Sequence, residues 1–315
     1  MKKKTILFKV CVCIVLMISI LYASDKEMKE VKAKEEYSDS LLYSRIGPVW
    51  QFADENNIKI YKFKERKKLC DFIKKDNVDK LSTDTVFLKK SEKIHLDREN
   101  SPYYKKTLEQ SELLYYGKLN SDSEPDGLGI ILEIYTDLNT DDPDLMIRYM
   151  GYFKNGQYDG YGVEFAIPSA YEIPVSTEGI KNNITLFNEP IYEGKFKKGE
   201  YCGKGNSYSN DLLSIVLESS EEVDPTILSY NIIIAKYKKG SENGKAKEYY
   251  GNKLRYSGEM KKGEYDGKGK LYSVDTGKII YEGEFDGGVY HGKGTLYDEN
   301  GKVIHKGKFS GGGIK

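Results

Sequence analysis

The chain has 315 residues, enough for about two domains of average size. Its 49 basic and 49 acidic residues cancel, which argues against a nucleic-acid-binding protein, because such proteins carry a basic footprint. Only four cysteines and three histidines are present. The composition therefore excludes a disulfide scaffold and disfavours a histidine-rich metal or catalytic centre.

Composition divides the chain into three parts. Residues 1–112 contain a single glycine, Gly47, whereas residues 113–315 contain the other 30 and carry 25 basic and 31 acidic residues. We therefore predict a signal peptide or signal anchor over residues 1–24, a charged stalk and small cap region over 25–112, and a repeat domain over 113–315.

The first segment has the pattern of an export signal. Three lysines at the start precede residues 6–23, which are apolar except for Lys9 and Ser19. A basic head before an apolar run is typical of a secretory signal, and this run is just long enough to cross a membrane as a helix. We favour a membrane anchor with residues 25 onward outside the cytoplasm. The alternative is a protein secreted after cleavage of the signal.

The cap region is predicted to be a small α+β or partly helical unit. Apolar residues at helical spacing predict a helix over residues 66–75, and residues 58–63 and 85–88 are predicted to form short strands. A basic cluster begins just before the predicted helix. It either meets an anionic surface or is an ordinary solvated helix face, and we favour the second reading. Its members are Lys62, Lys64, Arg66, Lys67 and Lys68.

Tyrosine, phenylalanine and glycine recur at fixed spacing in four copies within residues 113–315, with Met260 and Phe165 as the two substitutions. Chance does not produce such a pattern. The copies comprise Tyr149, Gly151, Phe153, Gly156, Tyr158, Gly160, Gly162 and Phe165; Tyr192, Gly194, Phe196, Gly199, Tyr201, Gly203, Gly205 and Tyr208; Tyr256, Gly258, Met260, Gly263, Tyr265, Gly267, Gly269 and Tyr272; and Tyr281, Gly283, Phe285, Gly288, Tyr290, Gly292, Gly294 and Tyr297.

Weaker copies begin at Tyr115, Ala235 and Gly307, which makes about six copies and a truncated last one. Insertions at residues 166–190 and 209–232 separate some of them, and these either extend strands or form a separate lobe.

Each copy predicts a β-hairpin. Alternation places Tyr281, Gly283 and Phe285 on one face of a strand, and the glycine pair Gly287-Gly288 suits a tight turn. The glycines inside the strands leave room for aromatic rings of neighbouring copies to lie against the backbone. We therefore predict a mainly β fold, an extended single-layer antiparallel sheet of stacked hairpins, preceded by an N-terminal hydrophobic helix and the cap.

The pattern resembles the MORN (membrane occupation and recognition nexus) repeat, which reads roughly Tyr-x-Gly-x-aromatic-x-x-Gly-x-x-x-Gly-x-Gly. The resemblance covers about residues 113–315 and is absent from residues 1–112. It implies accessory or scaffold roles, namely binding proteins, organising assemblies and, in some members, contacting phospholipid head groups.

No catalytic, cofactor-binding or metal-binding motif is recognised in the sequence, so we predict that the protein is not an enzyme. We expect a scaffold or adaptor that binds a protein partner through the repeat sheet; the partner's identity and the oligomeric state stay open. The alternatives are a phospholipid or envelope-polymer binding module, with possible membrane lipid contact, and an immunity or antitoxin-like protein. The acidic balance of the repeats disfavours capture of acidic lipids.

Four tyrosines near the predicted turns are candidate partner contacts, because tyrosine is enriched at interface hot spots. The alternative is that they stack intramolecularly on adjacent copies. They are Tyr158, Tyr201, Tyr265 and Tyr290.

Overall fold

A computed structural model provides the structure of the protein. The predicted hydrophobic helix in residues 1–24 and the predicted strand at 85–88 lie outside the residues that it describes. Within the described residues, no helix is long and apolar enough to cross a membrane. The described residues are 41–75, 112–136, 143–166, 189–210 and 230–315.

Fourteen strands form one open antiparallel sheet in which the strands follow one another in chain order. They make seven consecutive hairpins, the last of them short, so the predicted sheet of stacked hairpins is confirmed. The strands are β1 (Glu112–Leu119), β2 (Pro125–Thr136), β3 (Pro143–Lys154), β4 (Gln157–Phe165), β5 (Pro190–Lys197), β6 (Glu200–Asn210), β7 (Tyr230–Lys238), β8 (Ser241–Tyr250), β9 (Lys253–Lys261), β10 (Glu264–Tyr272), β11 (Ile279–Asp286), β12 (Val289–Tyr297), β13 (Val303–Ser310) and β14 (Gly313–Ile314).

Tight two-residue turns close six of the seven hairpins, and residues 120–124 connect β1 to β2. At the β5–β6 turn, Lys198 and Gly199 have φ angles of 50° and 80°. Two consecutive positive φ values are typical of a type I′ turn, whose twist matches that of the two strands. The turn also joins adjacent copies, because the Gly199 amide donates to the Tyr158 carbonyl at 2.9 Å.

Two helices precede the sheet in the described part of the chain, α1 (Leu41–Glu55) and α2 (Glu65–Lys75). The second confirms the helix predicted over residues 66–75, with Leu69 and Ile73 fully buried. The first was not predicted. Its signal is the spacing of Ile46, Val49 and Ala53, which are all fully buried, whereas Pro48 inside the same helix argues against a helix.

The strand predicted at residues 58–63 is wrong. This segment is irregular and connects the two helices. The backbone of Tyr61 forms hydrogen bonds with a side chain rather than with a neighbouring strand. Its amide donates to Asn206 Oδ1 at 2.9 Å, and Asn206 Nδ2 donates to its carbonyl at 3.0 Å. Asn206 is fully buried on β6, so both polar groups of its amide are satisfied by the connection.

The two helices and their connection form a cap on one face of the sheet. Phe52 packs edge-on against Tyr230 at 5.5 Å between ring centroids, and Phe63 lies 5.2 Å from Tyr161. The core beneath the cap is contributed by strands from β2 to β7. Its buried sheet residues are Ile130, Leu132, Ile147, Met150, Tyr161, Val163, Phe165, Tyr208, Tyr230, Ile232 and Ile234.

A buried carboxylate anchors the cap to the sheet. Glu193 on β5 is fully buried and accepts two hydrogen bonds from the guanidinium of Arg66, at 2.5 and 2.6 Å. Trp50 Nε1 donates to it at 3.2 Å, and the hydroxyls of Tyr161 and Tyr208 donate at 2.8 and 3.0 Å. The charge of Glu193 is thus paired and fully hydrogen-bonded, which offsets the cost of its burial.

The Arg66 guanidinium is held from both sides. It lies over the Trp50 ring, 4.1 Å from the centroid, and donates to the Tyr61 carbonyl at 3.1 Å. Burial would lower the pKa of Arg66, but the charge and hydrogen bonds of Glu193 raise it above its ordinary value. Arg66 therefore stays charged and belongs to the cap–sheet contact rather than to a solvated basic surface.

Replacing Arg66 tests this anchor. Arg66→Met leaves Glu193 buried without a counter-charge, so we expect the free energy of unfolding in urea to fall by about 3–5 kcal/mol. The double variant Arg66→Met/Glu193→Gln should lose less than the sum of the two single variants, because no unpaired charge remains.

The matched control is Lys197→Met, which breaks the ion pair of Lys197 with Asp159 at 3.0 Å. This pair is largely exposed on the lysine side, so its loss should cost no more than about 1 kcal/mol. Equal losses for Arg66→Met and Lys197→Met would contradict the anchoring role of Arg66.

Candidate functional site

The face opposite the cap carries the repeat tyrosines and is called the aromatic face below. The first tyrosine of each regular copy is fully buried there, with its ring lying over glycine backbone. Tyr281 covers Gly283 on its own strand and Gly294 on the next, which are paired across the two strands. A Cβ on Gly283 would lie 2.5 Å from Tyr281 Oη and 2.6 Å from Gly294 Cα, so no side chain fits there.

These rings come from the same copy as the glycines, not from neighbouring copies as the sequence pattern predicts. The reason is the alternation of the strand, which sets Tyr281 and Gly283 on the same face, so that the ring folds over its own hairpin. The other three regular copies repeat this contact. Their rings and glycines are Tyr149 with Gly151 and Gly162, Tyr192 with Gly194 and Gly205, and Tyr256 with Gly258 and Gly269.

The buried hydroxyl of each first tyrosine donates to a backbone carbonyl three residues further along. The distance is 2.9 Å from Tyr281 to Glu284, 3.2 Å from Tyr192 to Lys195 and 2.7 Å from Tyr256 to Glu259. The ring is therefore held at both ends, by the glycines beneath it and by a carbonyl at its tip.

The central hairpin, β7–β8, is the exception that supports this account. Ile233 occupies the tyrosine position, and alanines, Ala235 and Ala246, occupy the positions of the two strand glycines. Both alanines are buried in the aromatic cluster. Because this hairpin has no tyrosine ring over its backbone, the two strand positions can carry the Cβ of alanine.

The second tyrosine of each regular copy stacks on the first. Ring centroids are 3.7 Å apart for Tyr149 and Tyr158 and 3.8 Å apart for Tyr192 and Tyr201, with interplanar angles of 3° and 6°. Phe196 meets rings of two copies edge-on, at 5.2 Å from Tyr192 and 5.1 Å from Tyr149. The face is thus a continuous array of stacked and edge-on rings, and the edge-on contacts have the geometry that aromatic pairs prefer.

The comparison with known families agrees with this geometry. The family model described as MORN repeat matches residues 149–166, 192–211, 256–278 and 281–303. This chain is a MORN-repeat protein. No curated protein matches it.

The four matched MORN segments cover the hairpins β3–β4, β5–β6, β9–β10 and β11–β12. The hairpins between and beside them belong to the same sheet although their sequences depart from the MORN pattern. The MORN fold therefore extends over more of the chain than the matched segments do.

The four candidate contacts of the MORN array, Tyr158, Tyr201, Tyr265 and Tyr290, lie on the aromatic face. Each is only partly buried and stacks on the first tyrosine of its own copy, so part of each side chain stays accessible to solvent. Intramolecular packing, the alternative, is present: parallel stacking lies within copies, and contact with the adjacent copy is edge-on, as between Tyr158 and Phe196 at 5.6 Å. Contact with a partner stays a prediction.

Carboxylates accompany these tyrosines. The hydroxyl of Tyr201 donates to Glu164 of the preceding MORN copy at 2.6 Å, and that of Tyr265 donates to Glu248. Burial raises the pKa of Glu164, while the hydrogen bond from Tyr201 and the charge of Arg148 oppose this shift. The aromatic face thus carries carboxylate groups among its tyrosines.

Two residues that matter for the structure were not found by sequence reasoning. In the sequence, Glu193 is one of the polar residues that alternate with the MORN aromatics, and Arg66 belongs to the basic cluster. Arg66 and Glu193 are far apart in the sequence and meet only in the folded structure. The other four members of the cluster, Lys62, Lys64, Lys67 and Lys68, are exposed, as expected of a solvated face.

The requirement for glycine beneath the tyrosine ring can be tested by a substitution that adds a single methyl group. Gly283→Ala places a Cβ against both Tyr281 and the backbone of Gly294, so we expect the free energy of unfolding to fall by about 1–3 kcal/mol. The matched control is Gly313→Ala, where the added Cβ has its nearest neighbour at 3.7 Å and should change stability by no more than about 0.5 kcal/mol. Similar effects of the two substitutions in urea unfolding would contradict the ring-over-glycine account.

Proposed function

We propose that this MORN-repeat protein is a non-catalytic scaffold or adaptor that binds a protein partner through its aromatic face. The MORN family is generally non-enzymatic, and a single open sheet provides a long surface rather than the enclosed pocket that suits catalysis.

One observation carries the proposal. The cap covers one face of the sheet, whereas, among the described residues, every member of the aromatic cluster on the other face comes from the sheet itself. The partly exposed tyrosines of this face are held rigid by stacking, so they lose little conformational entropy when a partner binds.

The proposal includes export and anchoring, with the repeat sheet outside the cytoplasm. Its support is the basic head and apolar run of residues 1–24. Carbonate extraction of native membranes, with N-terminal sequencing of the recovered chain, tests this part. We expect the protein to stay with the membrane and to keep its N-terminal segment. Release by carbonate, or a chain that begins near residue 24, would replace the anchor by a cleaved signal.

Photo-crosslinking tests the partner surface. A benzophenone amino acid, which keeps an aromatic ring, is introduced in separate variants of the full chain at Tyr201 and Tyr265. The matched control carries it at Lys268, an exposed residue of β10. After irradiation of the native cells, we expect the same protein adduct from Tyr201 and Tyr265 and none from Lys268.

Other outcomes decide against the proposal. Protein adducts from Lys268 alone would move the interface to the opposite face. Salt-sensitive flotation of the full chain on anionic vesicles, together with no protein adduct from any position, would favour the lipid-binding function instead.

A further inference from the structure

One position of each of the five hairpins from β3–β4 to β11–β12 forms a row across the aromatic face. It is the second residue after the tight turn, and in the regular copies it is the second tyrosine. The sheet register aligns these positions. Each pairs with the aromatic or methionine position of its own copy, and the glycine two residues further along pairs with that position of the next copy. The pairs are Phe153 with Tyr158, Phe196 with Tyr201, Tyr237 with Glu242, Met260 with Tyr265 and Phe285 with Tyr290.

The middle position of this row carries a charge. Glu242 stands where every regular copy has tyrosine, with two tyrosines on each side of it. It is partly exposed, shares the aromatic face with Tyr237, and makes no ion pair with any lysine or arginine that the structure describes. Of the carboxylates on this face, Glu133 pairs with Arg148 at 2.8 Å and Glu248 lies 3.5 Å from Arg255. Glu242 is the row's unneutralised acid.

The spacing of the row matches one type of peptide backbone. Successive row positions lie two strands apart, which is roughly 10 Å. A polyproline II helix repeats every three residues, about 9.3 Å, and exposes its carbonyls because it makes no internal hydrogen bonds. Every third residue of such a segment therefore meets one position of the row.

We propose that the aromatic face binds a polyproline II segment of another protein, with prolines against the tyrosines and a central lysine or arginine on Glu242. The inference rests on the proposed function and specifies the chemistry of its partner. Aromatic-lined surfaces suit proline-rich segments because the segment is already ordered and loses little entropy on binding.

One hydroxyl of the row also fits this ligand, since those of Tyr201 and Tyr265 already donate to Glu164 and Glu248. That of Tyr290 makes no hydrogen bond within the described residues, so it can donate to a peptide carbonyl. Burial raises the pKa of Tyr290 above its ordinary value, which keeps the hydroxyl protonated. In the middle of the row, Glu242 supplies the charge that selects a cation and fixes the register of the segment.

A peptide of six prolines, one arginine and six prolines tests the inference with the full-length chain. It spans roughly 40 Å as a polyproline II helix, about the length of the row. We expect saturable binding by fluorescence anisotropy, weaker binding when arginine is moved to the first position, and weaker binding still when glutamate replaces it. Glu242→Lys should lower affinity for the arginine peptide by about tenfold or more and restore binding of the glutamate peptide.

Glu299→Lys is the matched control, because it makes the same charge change at an exposed residue of the β12–β13 connection. It should alter affinity by less than about twofold. Circular dichroism verifies folding, and Glu242→Gln replaces Glu242→Lys if the lysine variant does not fold. Equal effects of Glu242→Lys and Glu299→Lys, equal affinity for all peptides, or no binding would overturn the inference.

Failure of this inference is distinguishable from failure of the proposed function. If the arginine peptide does not bind but Tyr201 and Tyr265 still yield a protein adduct in cells, the aromatic face binds a partner of different chemistry. If both experiments fail, the protein-binding function falls as well.

Discussion

The whole array depends on one steric constraint, the contact of a tyrosine ring with two glycines paired across neighbouring strands. A Cβ at either glycine would collide with the ring, so the ring can lie flat only where the backbone is bare. Glycine ordinarily weakens a strand because it adds entropy to the unfolded chain and has no side chain to pack. Here the ring supplies the missing contact and covers the backbone on both strands. The β7–β8 hairpin, where isoleucine and two alanines replace the tyrosine and glycines together, obeys the same constraint.

This contact explains why the aromatic face is a rigid surface. Each first tyrosine is fixed by its glycines and by a carbonyl, and it serves as the platform on which the second tyrosine stacks. The phenylalanine between copies then meets the rings on both sides edge-on. Because each copy covers its neighbour, order propagates along the sheet as in other repeat proteins. The row that contains Glu242 is therefore held at the spacing of the strands.

The opposite face is organised by burial of a cap and by one buried charge. Strands from β2 to β7 present apolar side chains to the two helices, and Glu193 collects five hydrogen bonds from cap and sheet donors. An ion pair of this kind adds specificity of position, since misplacing the cap would leave a carboxylate buried and unpaired. The two faces thus have separate roles, one closed by a cap and the other presenting aromatic rings.

The amino-acid sequence by itself determined the hairpins, their turns and the face of the tyrosines, because these follow from the period of the strand and from local glycine geometry. It also contained a hint of the cap, since residues 130–132 and 232–234 are apolar without alternation, as expected of strands buried on both faces. Only the tertiary structure decided that Arg66 meets Glu193 and that Tyr61 pairs with Asn206, because more than a hundred residues separate these partners. Likewise, only the register of the sheet aligned Glu242 with the tyrosines of four other copies.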